Sequence, residues 1–369
     1  MNKTHLAAAC LFLLVGLLIS SCRKPRVEPT PYVIDIPFGF PTRLNVPEDN
    51  LMTKEGVALG KLLFEDEHLC GYQGSDPDSL MSCAYCHVRS HNYDFGLDNP
   101  HFPEGYARGR STGKRTIHNV MPLTNLVFNN EGYFWNGSVC AANANASSIE
   151  DIVRMAILAD DEMCGTEARA LAAIRANSRY PEMFKAAFGS EEITMVRIQK
   201  AIAQYVRSLV SGNSKFDRYL KGREQLTPQE LHGYILFTTE EGADCFHCHG
   251  SDGSPLFTTN LFYNNGLDAV CMDDHDRYAF TGDVMDKGAY RAPSLRNVMV
   301  SAPYMHDGRF KNIDEVLTFY NEGLQSSPYV SPLMHKLEEG GRHLTSAELA
   351  DIKAFLETLT DDEYLGSSR

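Results

Sequence analysis

Apolar residues recur at helical spacing over several stretches of this 369-residue chain. Glu167 to Asn177 is Ala-rich, with its larger apolar side chains three or four positions apart. Ile193 to Leu209 places Val196, Ile198, Ile202, Tyr205, Val206 and Leu209 along one stripe. Ser346 to Leu359 does the same with Leu349, Ile352, Phe355, Leu356 and Leu359, behind a cap-like Thr345 or Ser346. A shorter run, Ile313 to Asn321, is helix-like as well. Between the runs, Gly, Asn and Pro crowd long loops such as Asn92 to Gly113 and Gly250 to Gly266. Stripes of this kind make a core, and the pattern predicts a mostly α fold with long loops.

The amino-terminal end has a different pattern. Lys3 precedes an apolar run from Leu6 to Ile19, too short to span a bilayer comfortably, in the order of a secretory signal. Ile19-Ser20-Ser21-Cys22 resembles a bacterial lipobox, so residues 1–21 are expected to be removed and Cys22 to carry lipid. The mature chain would then lie on the periplasmic side, touching the membrane only through that lipid. Residues 22–50 hold six of the 17 prolines with little period and read as a Pro-rich tether.

Chemistry enters with two Cys-x-x-Cys-His runs, Cys83-Ala84-Tyr85-Cys86-His87 and Cys245-Phe246-His247-Cys248-His249. This spacing is the attachment signature of c-type haem: the two thiols form thioethers to the porphyrin and the adjacent His ligates iron. Zinc would need a closed set of four ligands, and neither run has an obvious companion pair. Two covalently bound haem c groups are predicted. Cys70, Cys140, Cys164 and Cys271 are left over, an even set that in an oxidising compartment suggests up to two disulfides. The net charge of −14 argues against nucleic acid and favours a basic redox partner.

The chain also repeats itself loosely. Gly60-Lys61-Leu62-Leu63-Phe64 precedes the first haem motif and Gly233-Tyr234-Ile235-Leu236-Phe237 the second. Asn119-Val120-Met121-Pro122-Leu123, Phe134-Trp135-Asn136-Gly137 and Ile149-Glu150-Asp151-Ile152 answer to Ala292–Asn297, Met305-His306-Asp307-Gly308 and Ile313-Asp314-Glu315-Val316. Two cytochrome c-like haem domains are expected, at 51–222 and 223–369. Met305, His306 or Tyr320 could supply a further ligand to the second haem. Aligning Ile149 with Ile313 puts Ala156 opposite Tyr320, and alanine cannot coordinate iron. The first haem would therefore keep an open position suited to binding peroxide, and the second would move electrons.

Taken together, these residues resemble the bacterial di-haem cytochrome c peroxidase / MauG family from about Leu51 to about Gly323. The specific part is Phe-Trp-Asn-Gly, Glu162-Met163, Ala201 to Leu220 and Ala302-Pro303-Tyr304-Met305-His306-Asp307-Gly308. The resemblance implies that Trp135 relays electrons between the haems and that Glu162 is the carboxylate that moves the proton during O–O cleavage. It further implies one interdomain Ca²⁺ at Asn119, Ser301 and Pro303, and a small cytochrome c or cupredoxin as electron donor; a homodimer is compatible with it.

Three departures stand out. Ile152 occupies the place of a Gln often found ten residues before the Glu. None of His91, His101 and His118 sits where a blocking His would close the first haem, which is therefore expected open without reductive activation. Fourteen residues after His306, where peroxidases carry Met, stands Tyr320, the place of the tyrosinate ligand in MauG; Met305 is its rival. The resemblance thus implies hydrogen peroxide reduction. A MauG-like oxidase modifying a protein substrate through a high-valent di-haem state is the alternative, and a plain electron-transfer protein the third reading.

Overall fold

The computed structural model describes residues 28–251 and 253–366; the predicted signal segment and Cys22 lie outside them. Helix α1 (Lys54–Glu65) starts at Thr53, whose hydroxyl accepts from the Gly56 amide. After α2 (Cys83–Cys86) come α3 (Ile149–Leu158), opened by a Ser148–Asp151 capping box, then α4 (Glu167–Ala176), α5 (Tyr180–Phe188) and α6 (Met195–Arg207). Their apolar faces meet in one core containing Leu59, Leu63, Phe64, Ile157, Phe184, Ile198 and Ile202. Helices α1 and α6 cross very closely. A Cβ on Gly60 would stand 1.9 Å from the Ala201 carbonyl oxygen, so only glycine allows that approach.

The second half is built in the same manner, and its core takes in residues ahead of the expected boundary at 223. Helix α7 (Lys215–Leu220) leads to α8 (Pro228–Phe237), whose first turn is closed by a Thr227–Glu230 capping box. Helices α9 (Phe246–His249), α10 (Arg277–Thr281), α11 (Ile313–Glu322), α12 (Ser346–Glu357) and α13 (Asp362–Leu365) follow. Phe216, Phe237, Phe257, Ile352 and Phe355 form its core. Here α8 packs on α12, and a Cβ on Gly233 would lie 1.8 Å from the Asp351 carbonyl oxygen. Among the described residues the one sheet is a two-residue pair, β1 (Phe262–Tyr263) antiparallel to β2 (Tyr290–Arg291), with Tyr263 opposite Tyr290. None of these helices is long and apolar enough to cross a membrane.

The loops repeat local backbone shapes as well. Asn125 and Asn297, Phe134 and Met305, and Gly137 and Gly308 all have positive φ. Tyr133 bridges to Val139 as Tyr304 bridges to Phe310. Both halves thus turn the chain through left-handed residues in these loops.

Two expectations change. By composition residues 22–50 make a tether, yet from Pro31 onward the segment is packed. Pro31 bridges to Thr53, and Phe40 is buried with Val127, Phe128 and Leu256, which come from both halves. Aperiodic, Pro-rich chain can still bury side chains, and sealing one Phe stabilises by about 2 kcal/mol. The expected disulfides are also absent: Cys70, Cys140, Cys164 and Cys271 are free thiols. The Cys70 and Cys164 thiols instead donate to the Glu67 and Asp160 carbonyls, at 3.1 and 3.2 Å.

The halves are joined by buried polar groups. Asn92 donates to the Arg296 carbonyl at 3.1 Å, and Asn297 donates to Asn92 Oδ1 at 2.9 Å. Tyr364, near the end of the chain, packs against the first core and shares a 2.9 Å hydrogen bond with Thr124. Buried ion pairs lock each half: Arg207 with Glu150 at 2.7 and 2.8 Å, and Arg296 with Asp217.

Candidate functional site

Each haem motif forms one short helix with its histidine at or just after the end. His87 Nδ1 lies 2.9 Å from the Tyr93 carbonyl and His249 Nδ1 3.1 Å from the Pro293 carbonyl. A carbonyl can only accept, so Nδ1 carries the hydrogen in both rings and Nε2 keeps its lone pair for a metal. Burial depresses both imidazoles to about 4, so they are neutral and ready to ligate at pH 7. All four motif thiols are pushed up by burial and are protonated until used.

Near the first motif, helix α3 ends in a turn that carries Glu162. Met163 is buried beside it, Cys164 adopts positive φ, and the Gly165 amide returns to the Ile157 carbonyl at 2.8 Å. Burial, followed by the Asp161 charge, raises the Glu162 carboxyl to about 7. The Glu162 charge is felt by both Cys83 and Cys86, so the acid and the motif share one low-dielectric space. Ile152 packs against the first core, and Ala156 offers only its carbonyl, which takes the Met163 amide at 3.2 Å. The three loop histidines are engaged elsewhere. His91 bonds the Val300 carbonyl and Asp98, His101 stacks on Tyr85, and His118 bonds Asp273.

Around the second motif the chain leaves about 1590 Å³ of free space, solvent at its mouth included. Cys245, Cys248 and His249 line it together with Tyr320 and Met305. Asn265 Nδ2 donates to Tyr320 Oη at 3.0 Å and lies 4.0 Å from Met305 Sδ, so the rival ligands stand side by side. Burial holds the Tyr320 phenol well above its usual range; the Asn265 donor works in the opposite direction, favouring the anion.

Trp135 lines the same space, and its Nε1 donates to the Asn119 carbonyl at 2.9 Å. Its neighbours Tyr133 and Phe134 belong to the first core, so the indole stands at the seam of the halves. The Asn119 amide donates to the Pro303 and Met305 carbonyls at 2.6 and 3.4 Å. The Ser301 hydroxyl points into the buried Asn92–Asn297 network instead, donating to the Asn297 carbonyl at 3.2 Å. Asn119 and Pro303 are therefore in contact, while Ser301 has only its backbone left to offer.

The residues fit haem. Arg291 is buried beside the second motif; it bonds Asn260 Oδ1 and Met121 Sδ, but its Nε has no partner, and among the described residues no carboxylate pairs with it. A buried guanidinium needs an anion, and a haem propionate is one. The first motif likewise leaves the buried Ser82 hydroxyl without a partner.

A family model described as di-haem cytochrome c peroxidase matches residues 54–225. The methylamine utilization protein MauG of Methylorubrum extorquens is 32% identical over 327 residues, covering 87% of this chain and 83% of its own. The chain belongs to the di-haem cytochrome c peroxidase family. It is thus an oxidoreductase of the peroxidase class, and two haem c groups go with that family. Cytochrome-c peroxidase IdrP1 of Denitromonas iodatirespirans is also 32% identical, over 89% of this chain and 88% of its own. A solved MauG-like protein associated with microbial copper homeostasis superposes with a TM-score of 0.75 at 32% identity, covering 90% of this chain and 97% of that one. The di-haem peroxidase BthA of Burkholderia thailandensis, at 23% identity and a TM-score of 0.68, shares the fold.

Sequence reasoning missed Asn265, Arg291 and Asp94. Asp94 is a buried acid on the second cavity, held far above the usual carboxylate range by burial. All three lie outside the helices, where no hydrophobic period marks a position.

Proposed function

We propose that this chain reduces hydrogen peroxide to water at the first haem motif, with Glu162 as its proton carrier. The supporting observation is a half-buried carboxyl held near neutrality by desolvation, its charge felt at the very thiols that tether the haem. When bound, the haem supplies the two-electron cleavage of the O–O bond. The chain's part is the proton: ionised Glu162 takes it from peroxide and returns it to the leaving oxygen as water departs. With Ala156 opposite Tyr320 in the repeat and the loop histidines engaged, this iron keeps a free face without activation.

The second motif then serves electron transfer, with Tyr320 as the further iron ligand and Trp135 as the relay across the seam. An anionic oxygen ligand lowers the potential where a thioether raises it. Tyr320 also favours the second reading, a MauG-like oxidase acting on a protein. The halves 51–222 and 223–369 are read as duplicated cytochrome c units, supported by the Gly60 and Gly233 crossings. One Ca²⁺ is placed at Asn119, Pro303 and the Ser301 backbone. A small cytochrome c or cupredoxin donates the electrons, and the chain works on the periplasmic side, lipid-anchored at Cys22.

Glu162→Gln tests the reading. Peroxide consumption should fall by roughly 10²–10⁴-fold while both haems stay attached in the absorption spectrum. Undiminished consumption would sink the assignment.

A further inference from the structure

Tyr290 connects two spaces. It lines the cavity of the second haem motif and also a small surface cleft containing Leu267, Asp268, Cys271, Met272 and Asp273. Its phenol donates to Asp273 Oδ2 at 2.6 Å, and the same oxygen faces His118 Nε2 at 2.6 Å. On the cavity side its ring stacks on His306, centroids 3.8 Å apart and 11° from parallel. The next residue, Arg291, donates its amide to the Trp135 carbonyl at 2.8 Å. Nothing in the proton chemistry at Glu162 uses this arrangement.

A phenol becomes a strong acid when it loses an electron, so a tyrosine can be oxidised at ordinary potentials only if a base takes the proton at once. Asp273 is such a base. Burial favours its neutral form, but Tyr290 and His118 outweigh that and hold it as the carboxylate. The stacked His306 and the cavity wall give the electron a short packed route inward, and the cleft opens outward.

Resting on the peroxidase reading above, we propose that Tyr290 is a redox relay, passing single electrons from a basic redox protein docked at the cleft to the haem held by His249. In each pass the phenol gives one electron inward and its proton to an Asp273 oxygen, leaving a tyrosyl radical and a neutral carboxylic acid. One electron from the docked donor reduces the radical, and the proton returns to restore the O–H bond. Two passes supply the two electrons that one peroxide takes; two protons from solvent complete two waters.

The cleft fits such a partner. Leaving out the buried Asp276, residues 268–287 carry Asp268, Asp273, Asp274, Asp283 and Asp286 against Arg277 and Lys287, and the balance stays negative even with Arg309 paired to Asp268. Val270, Met272 and Met285 stand exposed among these acids. A lysine-ringed surface with an apolar centre complements that face.

The test mixes the di-haem protein rapidly with peroxide, then follows reduced lysine-rich cytochrome c as donor. Without donor, the wild type should give a tyrosyl electron paramagnetic resonance signal that narrows when ring-deuterated tyrosine is incorporated. Tyr290→Phe should lose that signal and oxidise the cytochrome about tenfold more slowly, while the first Soret change with peroxide keeps its wild-type rate. An unaltered signal with wild-type donor turnover would overturn the relay. If Tyr290→Phe fails to load haem, Asp273→Asn decides: slowed donor oxidation with an intact Soret change supports the relay, and wild-type turnover overturns it. A wild-type protein inert to peroxide would overturn both readings, and its missing Soret change tells that case from a failed relay.

Discussion

At Glu162, burial and the Asp161 charge both favour the protonated carboxyl and bring it to about 7. A base is active only when ionised, so the rate of reaction with peroxide should rise as pH passes through about 7, with one ionisation. Glu162→Gln should flatten that step, as a stopped-flow pH series would show. The sign for stability is opposite. The unfolded carboxyl ionises near the ordinary 4.5 while the folded one still holds its proton. Stability from this group is therefore full below 4.5 and declines as pH rises toward 7. Glu162→Gln should lessen that decline in urea titrations across the window. At this scale the sequence was readable where a residue belongs to a motif, as with His87 and His249. Asp273 and Tyr290 escaped because an acid and a phenol outside the helices acquire meaning only from a 2.6 Å contact.

Helices carry the next level. The stripes of α6 and α12 were legible because each helix turns one face to a core and the other to solvent. Helix α1 was visible only as half of a repeat, since Gly56 and Gly60 interrupt its apolar pattern. Those glycines are what bring α1 and α6 together. Gly60→Ala and Gly233→Ala should each force their crossing apart and destabilise by about 1–3 kcal/mol. Thermal unfolding would register this as a lower midpoint, and an unchanged midpoint would mean that the crossings can relax. The ion pairs behave differently. Arg296→Met would leave Asp217 buried and uncompensated, at a cost of about 3–5 kcal/mol. Nothing in the spacing of those two residues announced the pairing, because it closes across 79 positions.

For the whole molecule the governing quantity is charge. A formal −14 spread over the chain would draw in the proposed positively charged donor from a distance. The second-order rate with a lysine-rich cytochrome c should fall as ionic strength rises, while the reaction with neutral peroxide stays level; stopped-flow traces at two salt concentrations separate them. A donor rate indifferent to salt would remove electrostatic steering. Composition made this legible. It could not show that the segment 31–50 packs against residues of both halves, because aperiodic coil looks alike whether free or packed.

That strap has a practical consequence. A recombinant version begun at Leu51, where the family resemblance begins, would strip the cover from Val127, Phe128 and Leu256 and cut the contacts of Asn50 with Glu150 and Gln204. Such a truncated product should aggregate or lose its interhaem geometry.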